Sequence, residues 1–147
     1  MALRSNTDSL GHPDIILPET GFVRLHHILK IYPGSCSSWW LGVREKRYPQ
    51  FHKIGPNITI WVAEEIRELF GDAVEYTPFP HSGYVRLNQI LEVIPVSKAT
   101  WYAAVQNGRF PTPQKIGPNM AVYTAKAIHA LIAEIRAVQQ FPLTISE

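Results

Sequence analysis

The sequence KIGPN occurs twice in this chain, at residues 53–57 and again at residues 115–119. The match continues on both sides with a constant offset of 62 and without a gap, so that residues 21–70 align with residues 83–132. About 20 of the 50 aligned positions are identical. Because self-similarity at a fixed spacing marks an internal duplication, we expect two copies of one small domain.

The alignment also predicts how the chain is divided. We expect a partly disordered N-terminal arm at 1–20, a first repeat at 21–70, a linker at 71–82, a second repeat at 83–138 and a C-terminal tail at 139–147. Each repeat is close to the size at which a hydrophobic core becomes marginal. Each is therefore expected to depend on its terminal helix or on contacts with its twin.

The second copy shows its helices more clearly than the first. Apolar residues at helical spacing over 87–94 predict a short first helix, and Pro95 ends it. Ser97 is a suitable N-cap for a second helix that extends through Asn107. Gly108 suits the end of that helix, since glycine adopts the left-handed conformation at little cost. Two short helices joined by a tight turn form a helix-turn-helix.

A β-hairpin and a third helix follow. Residues 115–116 and 120–123 are predicted strands, and residues 117–119 (GPN) are the predicted turn, because proline and asparagine suit its central positions. Thr124 is the expected cap of the third helix. The first copy repeats the whole pattern. The predicted fold class is therefore mainly α with small β-hairpin wings, as two tandem winged helix-turn-helix domains.

Composition and charge narrow the functional class. Of 147 residues, 46% are hydrophobic and 18% are charged, which is typical of a soluble globular protein. The single cysteine, Cys36, excludes a disulfide framework and a thiolate metal cluster. Neither a membrane-spanning run nor a signal-peptide pattern is visible, so we expect a cytoplasmic protein without a membrane partner.

The charge is distributed unevenly along the chain, although the formal net charge is only +2. The first repeat carries seven basic against four acidic side chains, a net of about +3, and residues 83–137 carry six against two, about +4. Much of the remaining acid lies in the connecting segments. Small basic domains favour a polyanion as partner.

Three stretches of the sequence resemble a known family: ILPETGFVRL at 16–25, IYPGSCSSWWLGVREKRYPQFHKIGP at 31–56, and IPVSKATWYAAVQNGRFPTPQKIGP at 94–118. On these residues, each copy resembles the AlpA family of prophage-type regulators, a MerR-like winged helix-turn-helix group that includes excisionase-like proteins. The resemblance implies binding to a specific double-stranded DNA, and it implies neither a cofactor nor catalysis. Family members usually contain one such domain, so the tandem arrangement is a departure.

The second copy supplies six predicted DNA contacts. In a fold of this kind, the second helix enters the major groove with its N-terminal residues near base edges. Lys98 and Gln106 are expected to read bases, by charge and by a donor–acceptor pair respectively, with an ordinary solvated surface as the alternative. Phosphate contacts, which position a protein without reading sequence, are expected from Thr100, Tyr102, Arg109 and Lys115.

The first copy is a weaker candidate. Its six predicted contacts are Ser38, Trp40, Arg44, Lys46, Arg47 and Lys53. Cys36 stands where the second copy has Lys98, and Leu41 is apolar where a groove-facing residue should be polar. Trp40 and Leu41 alternatively form an exposed apolar patch for a protein partner. The hairpin tips carry Asn57 and Asn119 instead of a basic residue, which weakens the case for wing insertion.

Other residues are assigned structural roles or none. Trp39 and Trp101 each precede a valine by four residues and are predicted core residues. Gly42 lies inside the second helix of the first copy, where glycine costs about 1 kcal/mol relative to alanine. His26 and His27 are adjacent instead of four apart, so no metal site is predicted, and no catalytic residue or cofactor is expected.

Three functions remain open at this stage. The first is a transcriptional regulator of a prophage or mobile element, and the second is an excision factor that bends DNA and assists an integrase or recombinase. The third is a protein-interaction adaptor with one degenerate repeat. The chain is expected to be a monomer with pseudo-dimeric repeats or a homodimer. Its linker, if extended, spans up to about 40 Å, which is enough to reach adjacent major grooves.

Overall fold

The computed structural model describes residues 16–143. The predicted disorder of the N-terminal arm falls mostly on 1–15, which lie outside the described residues. Positions 144–147 of the predicted tail also lie outside them.

The first half contains β1 (Ile16–Pro18), β2 (Phe22–Val23), α1 (Leu25–Leu29), α2 (Cys36–Arg44), β3 (His52–Ile54), β4 (Ile58–Val62), α3 (Ala63–Phe70), a 3-10 turn (Gly71–Ala73) and β5 (Glu75–Thr77). The second half contains β6 (Tyr84–Val85), α4 (Leu87–Val93), α5 (Lys98–Gln106), β7 (Gln114–Gly117), β8 (Met120–Thr124), α6 (Ala125–Arg136) and β9 (Gln140–Phe141).

The prediction of a mainly α fold with small hairpin wings is wrong. The described residues are 41% helical and 23% strand, with six α-helices and nine strands in three sheets, so the fold is mixed α/β. Three of the additional strands lie in segments that were predicted to be arm, linker and tail, namely β1, β5 and β9. Each of these strands is only two or three residues long, which is too short to show the alternation that identifies a strand in a sequence.

The predicted helix caps are confirmed in both repeats. The Ser97 hydroxyl accepts a hydrogen bond from the Thr100 amide at 3.1 Å, and Ser35 does the same for Ser38 at 3.1 Å. Gly108 has the expected left-handed backbone, with φ of 78°. A lysine, Lys46, adopts that conformation at the equivalent position of the first repeat, with φ of 65°.

The sheet of the first repeat has two apolar faces. Successive side chains of a strand point to opposite faces, and directly paired residues share a face. Val23 pairs with Trp61, and both belong to the core of the first repeat. Phe22 pairs with Val62 on the other face, where Ile54 also lies. These three residues belong to a second, larger core that includes the apolar residues of the second repeat.

The second repeat is built onto that outer face. Strand β9 pairs in parallel with β3, with Phe141 opposite Ile54, and completes a sheet of order β9-β3-β4-β2. Two backbone hydrogen bonds hold it, from the Lys53 amide to the Gln139 carbonyl at 2.6 Å and from the Gly55 amide to the Phe141 carbonyl at 2.7 Å. The two repeats are therefore joined by a shared sheet and a shared core.

The segment between the repeats is folded. Strand β5 pairs in parallel with β1, so that Tyr76 lies opposite Leu17. Phe79 is buried in the larger core, and its amide donates to the Glu19 carboxylate at 2.9 Å. This bond is the main cause that holds the pKa of Glu19 below its ordinary value. The linker is therefore a structural element and not an extended tether between separate domains.

Glycine is present at position 42, inside a helix, because of a packing contact that the sequence did not reveal. The ring of Tyr48 lies directly over its α-carbon, where a Cβ would overlap the ring. Tyr48 in turn stacks on Trp39 with ring centroids 4.6 Å apart and an interplanar angle of 14°. The unfavourable helix propensity of glycine is offset here by an aromatic stack that a larger residue would displace.

Candidate nucleic-acid interface

Helix α5 presents one continuous exposed face. Lys98, Tyr102 and Gln106 are exposed and lie four residues apart, so they form a stripe along the helix. Ala99 and Ala103 are also exposed and lie beside this stripe. The small alanine side chains leave the helix backbone accessible to a surface that docks against it.

The opposite face of α5 is firmly anchored. Trp101 is fully buried, as predicted, and its indole N–H donates to the Tyr123 hydroxyl at 2.9 Å. Burial raises the pKa of Tyr123, so its hydroxyl stays protonated at neutral pH. The Trp101 ring also packs on Phe110, with centroids 4.6 Å apart. Because these contacts fix the helix, the exposed stripe is held in a defined orientation.

The stretch of sequence that contains α5 carries charged side chains of one sign. The 41 residues between Glu92 and Glu134 contain no aspartate or glutamate, while Lys98, Arg109 and Lys115 lie among them. The first turn of α5 contains no acidic residue, and the positive end of the helix dipole lies at Lys98. This part of the molecule is therefore suited to a negatively charged partner.

The other predicted contacts of the second repeat lie apart from the stripe. Thr100 is half-buried, and its hydroxyl accepts a hydrogen bond from the Ser97 hydroxyl at 2.9 Å. Arg109 is half-buried and already interacts within the protein. Lys115 is exposed but lies on strand β7. Of the six predicted residues, the structure brings Lys98, Tyr102 and Gln106 together on one helix face.

In the first repeat, three predicted contacts are exposed. Arg44, at the end of α2, and Lys46 are both exposed. The Arg47 guanidinium forms an ion pair with Glu45 at 2.8 Å, and a hydrogen bond to the same carboxylate raises the pKa of Arg47. Arg44 and Lys46 therefore have the exposure that phosphate contacts need, whereas Arg47 has a carboxylate competing for its charge.

The remaining three are engaged inside the protein. The Ser38 hydroxyl donates to the Ser35 carbonyl at 3.0 Å and shares a 2.7 Å hydrogen bond with the Tyr32 hydroxyl. Lys53 is half-buried, and its ammonium donates to the Pro56 carbonyl at 3.4 Å. Its strand, β3, pairs side by side with β9, so this strand edge is already occupied. Trp40 is the third, and its environment is aromatic.

Trp40 belongs to the packed interior of the first repeat. It is half-buried, with its ring centroid 5.6 Å from that of Phe51 and 5.4 Å from that of Trp61. The alternative prediction was an exposed apolar patch of Trp40 and Leu41. Of these two side chains, Leu41 is exposed, so the patch is smaller than predicted. The sequence did contain a sign of this cluster. Position 51, which contacts both Trp40 and Trp61, is phenylalanine in the first copy, whereas its counterpart in the second copy is Pro113.

Sequence reasoning also missed Ala99 and Ala103. Their positions, each directly after a stripe residue, place them on the exposed face, and that spacing was available from the sequence.

Within residues 16–143, no group of three or more His, Cys, Asp or Glu side chains is arranged to hold a metal ion. None of the helices in that range combines the length and apolar character needed to cross a membrane. Comparison of the chain with protein-family models, with curated proteins and with solved structures finds no significant match.

Proposed function

We propose that this protein binds double-stranded DNA through the exposed face of α5 and acts as a transcriptional regulator. The observation that carries the proposal is the stripe of Lys98, Tyr102 and Gln106, exposed on an anchored helix within a segment free of acidic residues. The DNA major groove is wide enough to admit an α-helix. The two exposed alanines allow close approach of that helix to the base edges.

Each stripe residue has a chemical role in this proposal. The Gln106 amide offers a donor and an acceptor that match the two groups of adenine in the major groove. Lys98 offers a cation for the acceptors of guanine. The Tyr102 hydroxyl suits a phosphate oxygen, which positions the helix without reading the sequence.

The two repeats have unequal roles. Because β9 joins the second repeat to the sheet of the first, the repeats form one body, and contact by one fixes the position of the other. The second repeat would read sequence, while Arg44 and Lys46 of the first repeat would contact phosphates. Once one surface has bound, the contact made by the other surface is intramolecular. The overall affinity for DNA is then higher, although neither contact alone is stronger.

The residues that resemble the AlpA family support a role in a prophage or mobile element, as regulator or as excision factor. An excision factor would also bend DNA and bind an integrase or recombinase. Exposed Leu41 and Cys36 favour a protein-binding role for the first repeat in particular. This adaptor role is the second candidate function.

Footprinting tests the proposal. The pure protein is incubated with the DNA that flanks its gene at a low and a high salt concentration. We expect a protected site that is lost at high salt, because several phosphate contacts release counterions. Bending measured on the protected fragment would favour the excision factor over the regulator. A complete absence of protection on this DNA and on a pool of random duplexes would contradict DNA binding and favour the adaptor.

A further inference from the structure

A cavity lies at the junction of the two repeats, where the two apolar cores meet. Its volume is about 470 Å³. Leu17 and Val23, from the core of the first repeat, line it together with Phe22, Phe79 and Val93 from the larger core. All five residues are buried, so the cavity has an apolar floor inside the folded protein. We call this space the junction cavity.

Three parts of the chain surround the junction cavity. Strands β1 and β2 and helix α1 line it from the first repeat, residues 77–79 from the segment between the repeats, and helix α4 with Pro95 from the second repeat. Gly21 and Val93 are already in direct contact across this junction, so the repeats cannot close further at this point. The cavity is therefore a consequence of the way in which the repeats are joined.

The junction cavity contains a polar group that lacks a partner. His27 lines it from α1, and the Nδ1 atom of this residue is buried without a hydrogen-bond partner among the described groups. A buried nitrogen without a hydrogen bond costs free energy, which a bound molecule could recover. A neutral imidazole accepts or donates at Nδ1 according to its tautomer, and rotation of the ring changes which edge faces the cavity.

The lining also determines the charge of a suitable ligand. Of the described residues that line the cavity, none is lysine, arginine or aspartate, and Glu92, which is exposed, is the one glutamate. Burial, with a smaller contribution from nearby positive charges, lowers the pKa of His27, so its imidazole is neutral at neutral pH. A charged ligand would lose its hydration against the apolar floor without gaining a counter-charge there, so an uncharged ligand is favoured.

We propose that the junction cavity binds a small, uncharged, largely apolar molecule with one N–H or O–H group that forms a hydrogen bond with His27. The cavity volume lies in the range of about 300–1,000 Å³ that is usual for ligand sites, and an apolar lining with few polar groups is typical of them. The bound molecule would contact Pro95, in the short segment between α4 and α5. This site goes beyond the proposed contact of α5 with DNA and does not depend on it.

Titration with N-phenyl-1-naphthylamine tests the site. This probe is uncharged and apolar, has one N–H group, and fluoresces more strongly in apolar surroundings. The full chain is expected to bind it saturably, one molecule per chain, with a dissociation constant of the order of 10 µM. Leu91→Trp fills the cavity and should weaken binding about tenfold or more. Leu69→Trp is the matched control, because Leu69 is exposed and lies outside the cavity, and it should bind the probe as the wild type does.

A second variant tests the hydrogen bond. His27→Phe keeps a ring at this position but removes the nitrogen, so it should bind the probe about three- to tenfold more weakly. Methylation of the probe nitrogen removes the donor, and it should weaken binding to the wild type more than binding to His27→Phe. An equal effect of methylation on both proteins would overturn the assignment of His27.

Circular dichroism and thermal unfolding show whether each variant folds. A wild-type chain that does not bind the probe saturably would overturn the proposal. Binding by folded Leu91→Trp that is as tight as binding by the wild type would also overturn it, as would an equal loss of affinity in Leu69→Trp.

Discussion

Gly21 of the first repeat lies directly against Val93 of the second. A Cβ placed on Gly21 would be 2.7 Å from the Val93 Cβ and would overlap the Val93 carbonyl. Gly83, the counterpart of Gly21, has a similar backbone, with φ of 81° against 95°, but nothing lies within 4 Å of its Cβ position. A side chain at either glycine would strain the backbone, but only a side chain at Gly21 would also collide with the other repeat. Comparing the two positions therefore distinguishes backbone strain from the close contact between the repeats.

Alanine at each of these glycines gives the first prediction. Gly83→Ala should cost about 1–2 kcal/mol, the strain of a left-handed residue that bears a Cβ. Gly21→Ala should cost about 1–3 kcal/mol more, because the new methyl group overlaps Val93. Urea unfolding of both variants measures the difference. Equal losses would mean that the contact between Gly21 and Val93 contributes nothing.

Strand β9 gives the second prediction. Phe141 is buried against Phe110, with centroids 6.0 Å apart, and lies opposite Ile54 of the first repeat. Phe141→Ala should cost about 3–5 kcal/mol, because it leaves a cavity in the larger core. Val138→Ala, at an exposed position, should change stability by less than about 0.5 kcal/mol.

The same experiment reports whether the repeats unfold together. With a shared core, the wild-type chain should unfold in one transition by both circular dichroism and tryptophan fluorescence. Two separate transitions in the wild-type chain would show that the repeats are independent. A neutral Phe141→Ala would show that β9 does not hold them together.

His27 gives a prediction on pH. Its Nδ1 atom is buried without a hydrogen-bond partner among the described groups, and burial, with a smaller contribution from nearby positive charges, lowers its pKa. The unfolded chain therefore takes up a proton at a higher pH than the folded chain does. Stability should fall as the pH drops below about 6.5, and this loss should level off below the folded-state pKa.

His27→Gln isolates this effect. The counterpart of His27 is Gln89, whose side-chain oxygen accepts a hydrogen bond from the Arg86 amide at 2.9 Å, so glutamine at 27 can cap α1 in the same way. The remaining histidines are common to both proteins, and the substitution removes the interaction of His27 with His26, whose ring centroid lies 4.1 Å away. The urea midpoint of the wild type should fall more than that of the variant between about pH 7.5 and pH 5. An identical pH dependence would rule out a contribution from His27.

Local structure was largely predictable from the sequence. Serine before a helix and glycine after it have a direct physical effect on the adjacent backbone, so Ser97, Ser35 and Gly108 are where they were expected. Trp39 and Trp101 are core residues because their spacing places them opposite the polar side of each helix. These features depend on neighbours within a few residues along the chain.

Tertiary features were not predictable in this way. The pairing of β9 with β3 joins residues more than eighty positions apart, and neither strand is long enough to show a pattern. The different surroundings of Ile54 and Ile116 follow from that pairing, although the local sequence, KIGPN, is identical. Thr100 and Ser38 were predicted contacts, but their hydroxyls are used within their own helix turns.

The most direct test of the account compares two charge reversals on the footprinted DNA site. Lys98→Glu and Lys126→Glu change the net charge equally, and both side chains are exposed, but only Lys98 lies in the α5 stripe. We predict that Lys98→Glu weakens binding to the site about tenfold to a hundredfold, the equivalent of about 1–3 kcal/mol, relative to Lys126→Glu. Equal affinities of the two variants for that site would contradict the assignment of α5 as the DNA-reading helix.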